Sequence, residues 1–228
     1  MDIKIPYTPR KHQRLLHQQI DKHRWSVLVC HRRFGKTVCM INHLIKSALT
    51  CKEKNPRFAY LAPTFKQAKS IAWDYMKQFT DKIPNTKFNE TELRVDLPNG
   101  ARITLLGSDS PDGLRGIYLD GCVIDEYANV NSRLFPEIIR PALSDRKGYC
   151  VFIGTPAGMN NNFYELYQHA NGADDWFNYK AKASDTKIVD EDELVKAKEV
   201  MGEKKYNQEF ECDWIANIEG AVYGDVVG

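Results

Sequence analysis

The feature that most constrains the fold is an apolar segment that runs directly into Gly35-Lys36-Thr37. Residues 25–29 before it are Trp-Ser-Val-Leu-Val, and residues 38–49 after it are rich in apolar side chains. This order predicts a strand, a tight turn and a helix. The backbone N–H groups of such a turn and the positive end of the helix form an anion site. We therefore expect Lys36 to reach the β- and γ-phosphates of a nucleotide, and the Thr37 hydroxyl to ligate Mg²⁺.

One position departs from the usual phosphate-loop pattern. The first glycine of that pattern is replaced by Cys30, five residues before Gly35. A bare Gly-Lys-Thr also recurs by chance, so the alternative is an ordinary strand–helix turn with an exposed lysine. The strand before the turn and the helix after it favour the phosphate loop.

Composition excludes several other classes of protein. No apolar run approaches the ~18–20 residues of a membrane span, and residues 1–6 carry no signal-peptide pattern. The six cysteines are scattered without a Cys-x-x-Cys pair, which argues against a zinc site or a disulfide framework and predicts a reducing compartment. Residues 1–57 hold 13 Lys and Arg against 3 Asp and Glu, which favours a polyphosphate partner, either nucleotide or nucleic acid. The alternative is a solvated helix face.

Strands alternate with helices along most of the chain. Strands are predicted at 25–29, 57–62, 119–124, 149–153 and 176–183, and helices at 38–49, 65–79, 132–143, 162–170 and 191–201, with Ser132 as an N-cap. Residues 89–97 and 101–106 are predicted to form a β-hairpin around Asn99-Gly100. The pattern predicts an α/β domain with a mainly parallel sheet covered by helices on both faces.

A second motif places two acids at the end of a strand. Cys122-Val123-Ile124 lead into Asp125-Glu126. Ligands bind at the carboxyl ends of the strands in open α/β sheets. We expect Asp125 to support the metal, and Glu126 to be the general base or water-orienting group of phosphoryl transfer to water. The alternative is an acidic pair at a helix start.

Other candidates follow from order and residue type. Gln13, upstream of the loop, fits the position of a glutamine that reads an adenine edge in helicase-like ATPases, and the alternative is a surface side chain. Thr155 follows the strand at 149–153 and is a candidate γ-phosphate sensor, or part of a simple Gly-Thr-Pro turn.

An arginine finger lowers the barrier to hydrolysis, and four arginines are candidates. Arg32 and Arg33 lie inside the loop. Arg115 lies in a Gly-flanked loop from which it could enter a neighbouring subunit. Arg140 is predicted to form a structural ion pair on a helix.

The ordered set of motifs resembles the ATPase domain of the large terminase subunits of tailed bacteriophages, the motors that pump DNA into procapsids. The motifs are His31 to Thr37, Ala62 to Ala68, Gly113-Leu114-Arg115-Gly116, Val123 to Glu126, and Ile153 to Gly158. The resemblance covers roughly residues 5 to 215. It implies a P-loop NTPase of RecA-like, additional-strand fold that uses ATP and Mg²⁺.

The resemblance also implies roles and partners. Arg32 would contact the triphosphate, Arg115 would act as a trans finger, and Thr155 would couple hydrolysis to movement. Arg33, Phe34, Gly35, Lys36 and Thr37 would bind the nucleotide. The implied partners are double-stranded DNA, a portal protein, a small terminase subunit and a ring of about five copies, all in the cytoplasm of an infected bacterium.

The family's C-terminal nuclease has no counterpart in this sequence. The acidic run 190–193 stands at a predicted helix start, so we expect no DNA cleavage by this chain. We expect residues 1–215 to form the motor domain and 216–228 to begin a linker. Two alternatives remain: a superfamily 2 helicase lobe, which needs a second lobe to unwind DNA, and a non-hydrolysing, nucleotide-gated assembly module.

Overall fold

The computed structural model describes residues 4–215, in which strands alternate with helices. The strands are β1 (Trp25–Cys30), β2 (Arg57–Ala62), β3 (Lys87–Asn89), β4 (Arg94–Asp96), β5 (Arg102–Gly107), β6 (Gly121–Asp125), β7 (Tyr149–Gly154) and β8 (Trp176–Ala181). The α-helices are α1 (Lys11–Ile20), α2 (Lys36–Thr50), α3 (Phe65–Ala68), α4 (Asp74–Thr80), α5 (Arg140–Ala142), α6 (Asn162–Asn171), α7 (Ala183–Thr186), α8 (Glu191–Met201) and α9 (Glu203–Phe210). A π-helical turn, Lys69–Trp73, joins α3 to α4, so residues 65–80 are continuously helical.

The described strands form one sheet in the order β3-β4-β5-β2-β6-β7-β1-β8. All neighbours from β5 to β8 run parallel, and β3 and β4 add an antiparallel edge. One strand, β7, separates β1 from β6. The carboxyl ends of β1, β7 and β6, which carry the three predicted motifs, therefore lie side by side. The predicted α/β, RecA-like class is confirmed.

Hydrophobic clusters cover both faces of the sheet. On one face, α1, α2 and α4 supply buried side chains that include Leu16, Leu44 and Met76. On the other face, α6 and the segment between β6 and β7 pack around Phe152, with Phe163 as one buried example. The central strands β1 and β6 are buried along their whole length, as expected for parallel strands covered on both sides.

The predicted hairpin at 89–106 is wrong in its first half. The Asn89 side chain accepts hydrogen bonds from the N–H groups of Thr91 (3.1 Å) and Glu92 (2.9 Å), so the chain reverses after β3. The result is a three-stranded meander, β3-β4-β5, instead of two long strands. The turn at Asn99-Gly100 is confirmed: Gly100 has φ of 87° and connects β4 to β5.

The helix predicted from Ser132 begins later. Asn131 accepts the Arg133 N–H at 3.0 Å, and residues 132 and 133 form a turn. A π-helix, Phe135–Ile139, and α5 follow. Pro136 and Pro141 carry no N–H, which limits the regular α-helical hydrogen bonding of this segment. Ser132 is therefore not the N-cap.

Two predictions from composition concern membrane spans and cysteines. In the part of the chain that is described, no helix is long and apolar enough to span a membrane. All six cysteines are free thiols, and each is buried except the half-buried Cys51. The predicted linker at 216–228 lies outside the described residues.

Candidate functional site

The turn between β1 and α2 has the backbone geometry of an anion-binding loop. Arg33 has φ of 66°, and Gly35 has φ of 88° and ψ of 34° immediately before Lys36 begins α2. A Cβ on Gly35 would lie 3.0 Å from Nε2 of Gln13 in addition to the strain of a positive φ. The positive φ therefore favours glycine here, and any side chain would also displace the Gln13 amide.

Helix α1 holds this loop from behind. The amide of Gln13 donates to the carbonyl of Gly35 at 3.2 Å and accepts from the Arg10 N–H at 3.0 Å. The Arg10 guanidinium donates to the carbonyl of Phe34 at 3.4 Å. Gln13 is buried, so its contacts are those of a loop support, and adenine recognition stays a prediction.

The first half of the loop is tied to the C-terminal helices. His31 is buried, and its Nε2 lies 2.7 Å from the hydroxyl of Thr186 at the end of α7. The Arg32 N–H donates to the carbonyl of Glu209 in α9 at 2.7 Å. The loop is thus braced on one side by α1 and on the other by α7 and α9.

The loop residues predicted to bind nucleotide divide into two groups. The Phe34 side chain is fully buried and packs edge-on against His31, with ring centroids 5.6 Å apart, so it anchors the loop in the core. Arg32 and Arg33 are exposed and line a cavity of about 350 Å³ that also borders α8 and Phe210. Both arginines therefore lie at the rim of the loop.

Lys36 and the two acids of β6 converge on the same region. The Lys36 ammonium lies 3.4 Å and 3.3 Å from the carbonyl oxygens of Cys30 and His31, inside the curve of the loop. Its positive charge lowers the pKa of both Asp125 and Glu126, although burial dominates and raises both. The ammonium and the carboxylates therefore share one electrostatic environment.

The two carboxylates differ in their surroundings. Asp125 is buried, with its Oδ1 accepting the Glu126 N–H at 2.8 Å and its Oδ2 accepting the hydroxyl of Tyr60. Glu126 is half-buried, with a left-handed backbone at φ of 50°. Burial, Asp125 and Glu209 raise the pKa of Glu126. Both oxygens of Asp125 are therefore held by protein groups, whereas the raised pKa of Glu126 favours uptake of a proton.

A divalent cation would find oxygen ligands between Thr37 and Asp125. The Thr37 side chain is hydrogen-bonded to Tyr60, which also contacts Asp125, so hydroxyl and carboxylate lie on either side of one phenol. Hydroxyl and carboxylate oxygens are ligands that Mg²⁺ prefers, with phosphate and water completing its shell. Within residues 4–215, no group of three or more His, Cys, Asp or Glu could hold a metal alone. Thr37 and Asp125 therefore fit a metal ion that binds together with a triphosphate, whose oxygens supply the other ligands.

Thr155 follows β7 between the two motifs. In the sheet, Asp125 pairs with Ile153, so Glu126 lies beside Gly154. A Cβ on Gly154 would lie 3.5 Å from the Glu126 Cα, which shows how closely the backbones approach. Thr155, the next residue, is half-buried at the same edge, between the loop after β1 and the acids of β6.

The other two candidate arginines lie in the segments before and after β6. Arg115 belongs to the segment between β5 and β6 and lines a cleft with Arg133 and Glu137. Arg140 stacks over the Trp25 ring, 5.0 Å from its centroid, and donates to the Ser144 hydroxyl at 3.4 Å. Its role is structural, as predicted, but through a cation–π contact in place of the predicted ion pair.

Comparison with known families decides the identity. Residues 29–224 match the family "Terminase large subunit, T4likevirus-type, N-terminal". The chain belongs to this family. The terminase large subunit of Thermus phage G20c is 30% identical over 126 residues, covering 47% of this chain and 26% of that protein. The terminase large subunit of Thermus virus P23-45 matches to the same extent. The matched segment thus spans about a quarter of the length of these relatives.

Solved large terminases share the fold. The ATPase domain of the Thermus phage P74-26 large terminase superposes with a TM-score of 0.78 at 20% identity, over 92% of this chain and 96% of that one. The large terminase of another thermophilic bacteriophage gives a TM-score of 0.78 at 15% identity, over 91% of this chain and 54% of that one. This second terminase has been crystallised with ADP and with ATP-γ-S.

Two residues of this terminase site were missed from sequence. Tyr60 lies in the interior of β2, and a buried tyrosine in an otherwise apolar strand signals a hydroxyl that needs a partner. The sequence therefore indicates that the Tyr60 hydroxyl has a hydrogen-bond partner, but it does not identify Asp125 as that partner. Glu209 approaches Glu126 from a helix more than eighty residues later in the chain, and no sequence pattern marks it.

Proposed function

We propose that this terminase chain is a Mg²⁺-dependent ATPase, the motor domain that drives double-stranded DNA into a phage procapsid. The single observation that carries the proposal is the convergence of Lys36 with Asp125 and Glu126 at the carboxyl edge of the sheet, where one strand, β7, lies between β1 and β6. An ammonium to bind phosphate and a carboxylate to activate water are the two groups that phosphoryl transfer to water needs.

The chemistry assigns one task to each group. The Lys36 ammonium and the N–H groups at the start of α2 bind the β- and γ-phosphates. Glu126 accepts a proton from the attacking water as its oxygen bonds to the γ-phosphorus and the bond to the ADP oxygen breaks. Thr37 and Asp125 would hold Mg²⁺, which neutralises developing charge on the phosphate oxygens. Thr155, at the sheet edge between the phosphate loop and the acids Asp125 and Glu126, senses the γ-phosphate.

Lys36→Ala tests this assignment directly. We expect it to lower the affinity for ATP by about 10- to 100-fold, because a charge-assisted contact to phosphate is lost. Calorimetric titration with ATP and release of inorganic phosphate measure both steps. Lys46→Ala, on the same helix but exposed and paired with Asp21, is the matched control and should bind as the wild type does. Equal affinity in Lys36→Ala and wild type would refute the proposed site.

The arginines complete the site in our proposal. Arg32 and Arg33 stand at the rim of the loop, where Arg32 contacts the triphosphate from the same chain. Arg115, on the loop between β5 and β6, supplies the finger from a neighbouring subunit. Such a finger raises the hydrolysis rate by about 10³–10⁵-fold.

Mixing two inactive variants tests the trans finger. Arg115→Ala keeps an intact Glu126, and Glu126→Gln keeps an intact Arg115, so a mixed assembly contains complete sites at some interfaces. We expect ATPase activity in the mixture above that of either variant. Arg133→Ala, from the same cleft, is the control and should be active alone. No recovery in assemblies that demonstrably contain both variants would exclude the trans assignment.

The wider context of the motor follows from the family. We propose double-stranded DNA, a portal protein and a small terminase subunit as partners, in a ring of about five copies in the infected host's cytoplasm. Residues 1–215 would form the motor, and 216–228 would lead to a further domain. The excess of Lys and Arg in residues 1–57 supports contact with a polyphosphate.

A further inference from the structure

Tyr60 is a buried phenol at the centre of the candidate site. Tyr60 lies in β2 and is completely inaccessible to solvent. In the parallel pairing of β2 with β6, Tyr60 is opposite Val123, so its side chain shares a face with Val123 and, two residues on, with Asp125. The same face is covered by α2, the helix that begins at Lys36. The topology therefore brings the phenol to the metal-side acid.

The phenol has partners on both sides. Its hydroxyl donates to Oδ2 of Asp125, and the side chain of Thr37 is hydrogen-bonded to the phenolic oxygen. Asp125 receives its other hydrogen bond, at 2.8 Å, from the Glu126 N–H. The phenol has a single proton, which it donates to Asp125. The two hydrogen bonds therefore run from the Thr37 hydroxyl to the Tyr60 oxygen, and from the Tyr60 hydroxyl to the Asp125 carboxylate.

This direction has a consequence for metal binding. When the Thr37 proton points to Tyr60, the lone pairs of the Thr37 oxygen remain for a cation. When Oδ2 of Asp125 is held by the phenol and Oδ1 by a backbone N–H, the carboxylate cannot rotate freely. Groups that orient metal ligands in this way typically change metal affinity by about 10- to 100-fold when they are removed.

We propose that Tyr60 is a positioning residue of the metal–nucleotide site, linking the Thr37 hydroxyl to the Asp125 carboxylate and holding both in the orientation that a divalent cation beside a triphosphate requires. The inference rests on the proposed function, because it assumes that Thr37 and Asp125 serve Mg²⁺. It differs from a packing role, since a phenylalanine would fill the same space without either hydrogen bond.

The test measures metal dependence of binding, not catalysis. ATP-γ-S is titrated calorimetrically into wild type and Tyr60→Phe at a series of Mg²⁺ concentrations and with none. We expect Tyr60→Phe to bind metal-free ATP-γ-S as the wild type does, and to need about 10-fold more Mg²⁺ for half of the metal-dependent gain in affinity. Tyr149→Phe removes a half-buried phenol, one that contacts the Ser47 hydroxyl at 2.9 Å, and should leave the Mg²⁺ requirement unchanged.

A second comparison covers the case in which Tyr60→Phe folds poorly because a buried carboxylate loses a partner. In the Asp125→Asn background the carboxylate is already lost and only the link from Tyr60 to Thr37 remains, so adding Tyr60→Phe should raise the Mg²⁺ requirement by less than it does in the wild type. A further rise of about the full 10-fold there would overturn the inference, since Tyr60 would not act through Asp125. An unchanged Mg²⁺ requirement in Tyr60→Phe alone, or an equal change in Tyr149→Phe, would also overturn it.

The outcomes separate the inference from the proposed function. If wild type binds ATP-γ-S more tightly with Mg²⁺ and Tyr60→Phe behaves identically, the nucleotide site stands and only the role of Tyr60 fails. If wild type binds no ATP-γ-S with or without Mg²⁺, the proposed function fails, and the role of Tyr60 fails with it.

Discussion

Glu126→Gln is expected to slow ATP hydrolysis by about 10³-fold while leaving the affinity for MgATP within a few-fold of wild type. A general base typically contributes about 10²–10⁴-fold, and glutamine keeps the size of the side chain but cannot accept the proton. Lys36, Thr37 and the loop amides, which bind the phosphates in our proposal, are unchanged. Phosphate release measures turnover, and calorimetric titration measures binding.

The same substitution should make the protein more stable near neutral pH. Burial and the neighbouring Asp125 raise the pKa of Glu126, so its ionised form is disfavoured in the folded state. For an acid with a raised folded pKa, this penalty is fully present above the folded pKa and disappears below the unfolded value of 4.5. We therefore expect Glu126→Gln to have a higher melting temperature than wild type at neutral pH, with the difference shrinking on acidification.

Glu209→Gln is the matched control for the predicted loss of ATP hydrolysis in Glu126→Gln. Glu209 is a nearby carboxylate that raises the pKa of Glu126 and is paired with Lys205 at 2.9 Å. Its neutral variant should keep turnover within a few-fold at neutral pH and move the acid limb of the rate profile to lower pH. Turnover in Glu126→Gln above about a tenth of wild type would remove Glu126 from the role of base.

The sequence was sufficient to predict the parts of this fold that depend on local pattern. The strand before Gly35, the helix after it and the strand ending at Asp125 each have a strong apolar signature, and their alternation predicted the parallel sheet. The meander at β3 and β4 was not predicted, because the Asn89 turn depends on one side chain hydrogen-bonding to nearby backbone. Such a turn does not interrupt the hydrophobic pattern that suggested one strand.

The site was predictable only in part for a different reason. Lys36, Thr37, Asp125 and Glu126 belong to motifs at strand ends, which meet wherever the strands are parallel. The contacts of Tyr60 and Glu209 depend on which strand adjoins β6 and on how α9 packs over the loop. Those are facts of tertiary structure, and hydrophobic periodicity carries no information about them.

Acidification to about pH 5 is expected to destabilise the fold by up to about 4 kcal/mol through two histidines packed between α1 and α2. Burial lowers the pKa of His17 to about 4 and that of His43 to about 3. For a histidine with a lowered folded pKa, the unfolded chain binds protons first, so stability falls as the pH drops below the unfolded value of 6.5. Each histidine then contributes about 2 kcal/mol at pH 5.

The geometry explains why these rings resist protonation. They stack with centroids 5.1 Å apart and planes 8° from parallel, with the two Nδ1 atoms at 2.9 Å. One Nδ1 must therefore accept while the other donates. The hydroxyl of Tyr7 lies 2.8 Å from Nε2 of His17, and Asp21 lies 3.7 Å from Nε2 of His43. A proton on the accepting Nδ1 would place two N–H groups against each other, and protonation of both rings would place two positive charges side by side. Lys46 adds a further positive charge nearby.

Urea denaturation of wild type and His43→Gln at about pH 7.5 and pH 5 measures this effect. The variant removes one titrating group and the like-charge neighbour of the other, so it should lose at least half of the pH dependence of the unfolding free energy. His169→Gln, at an exposed position on α6, should retain all of it. A wild-type unfolding free energy that stays constant between the two pH values would show that His17 and His43 take up protons equally in the folded and unfolded chains, and would contradict the prediction. Because α1 and its N-cap residue Arg10 also hold the carbonyls of Gly35 and Phe34, loss of this packing should weaken nucleotide binding at the same pH at which stability falls.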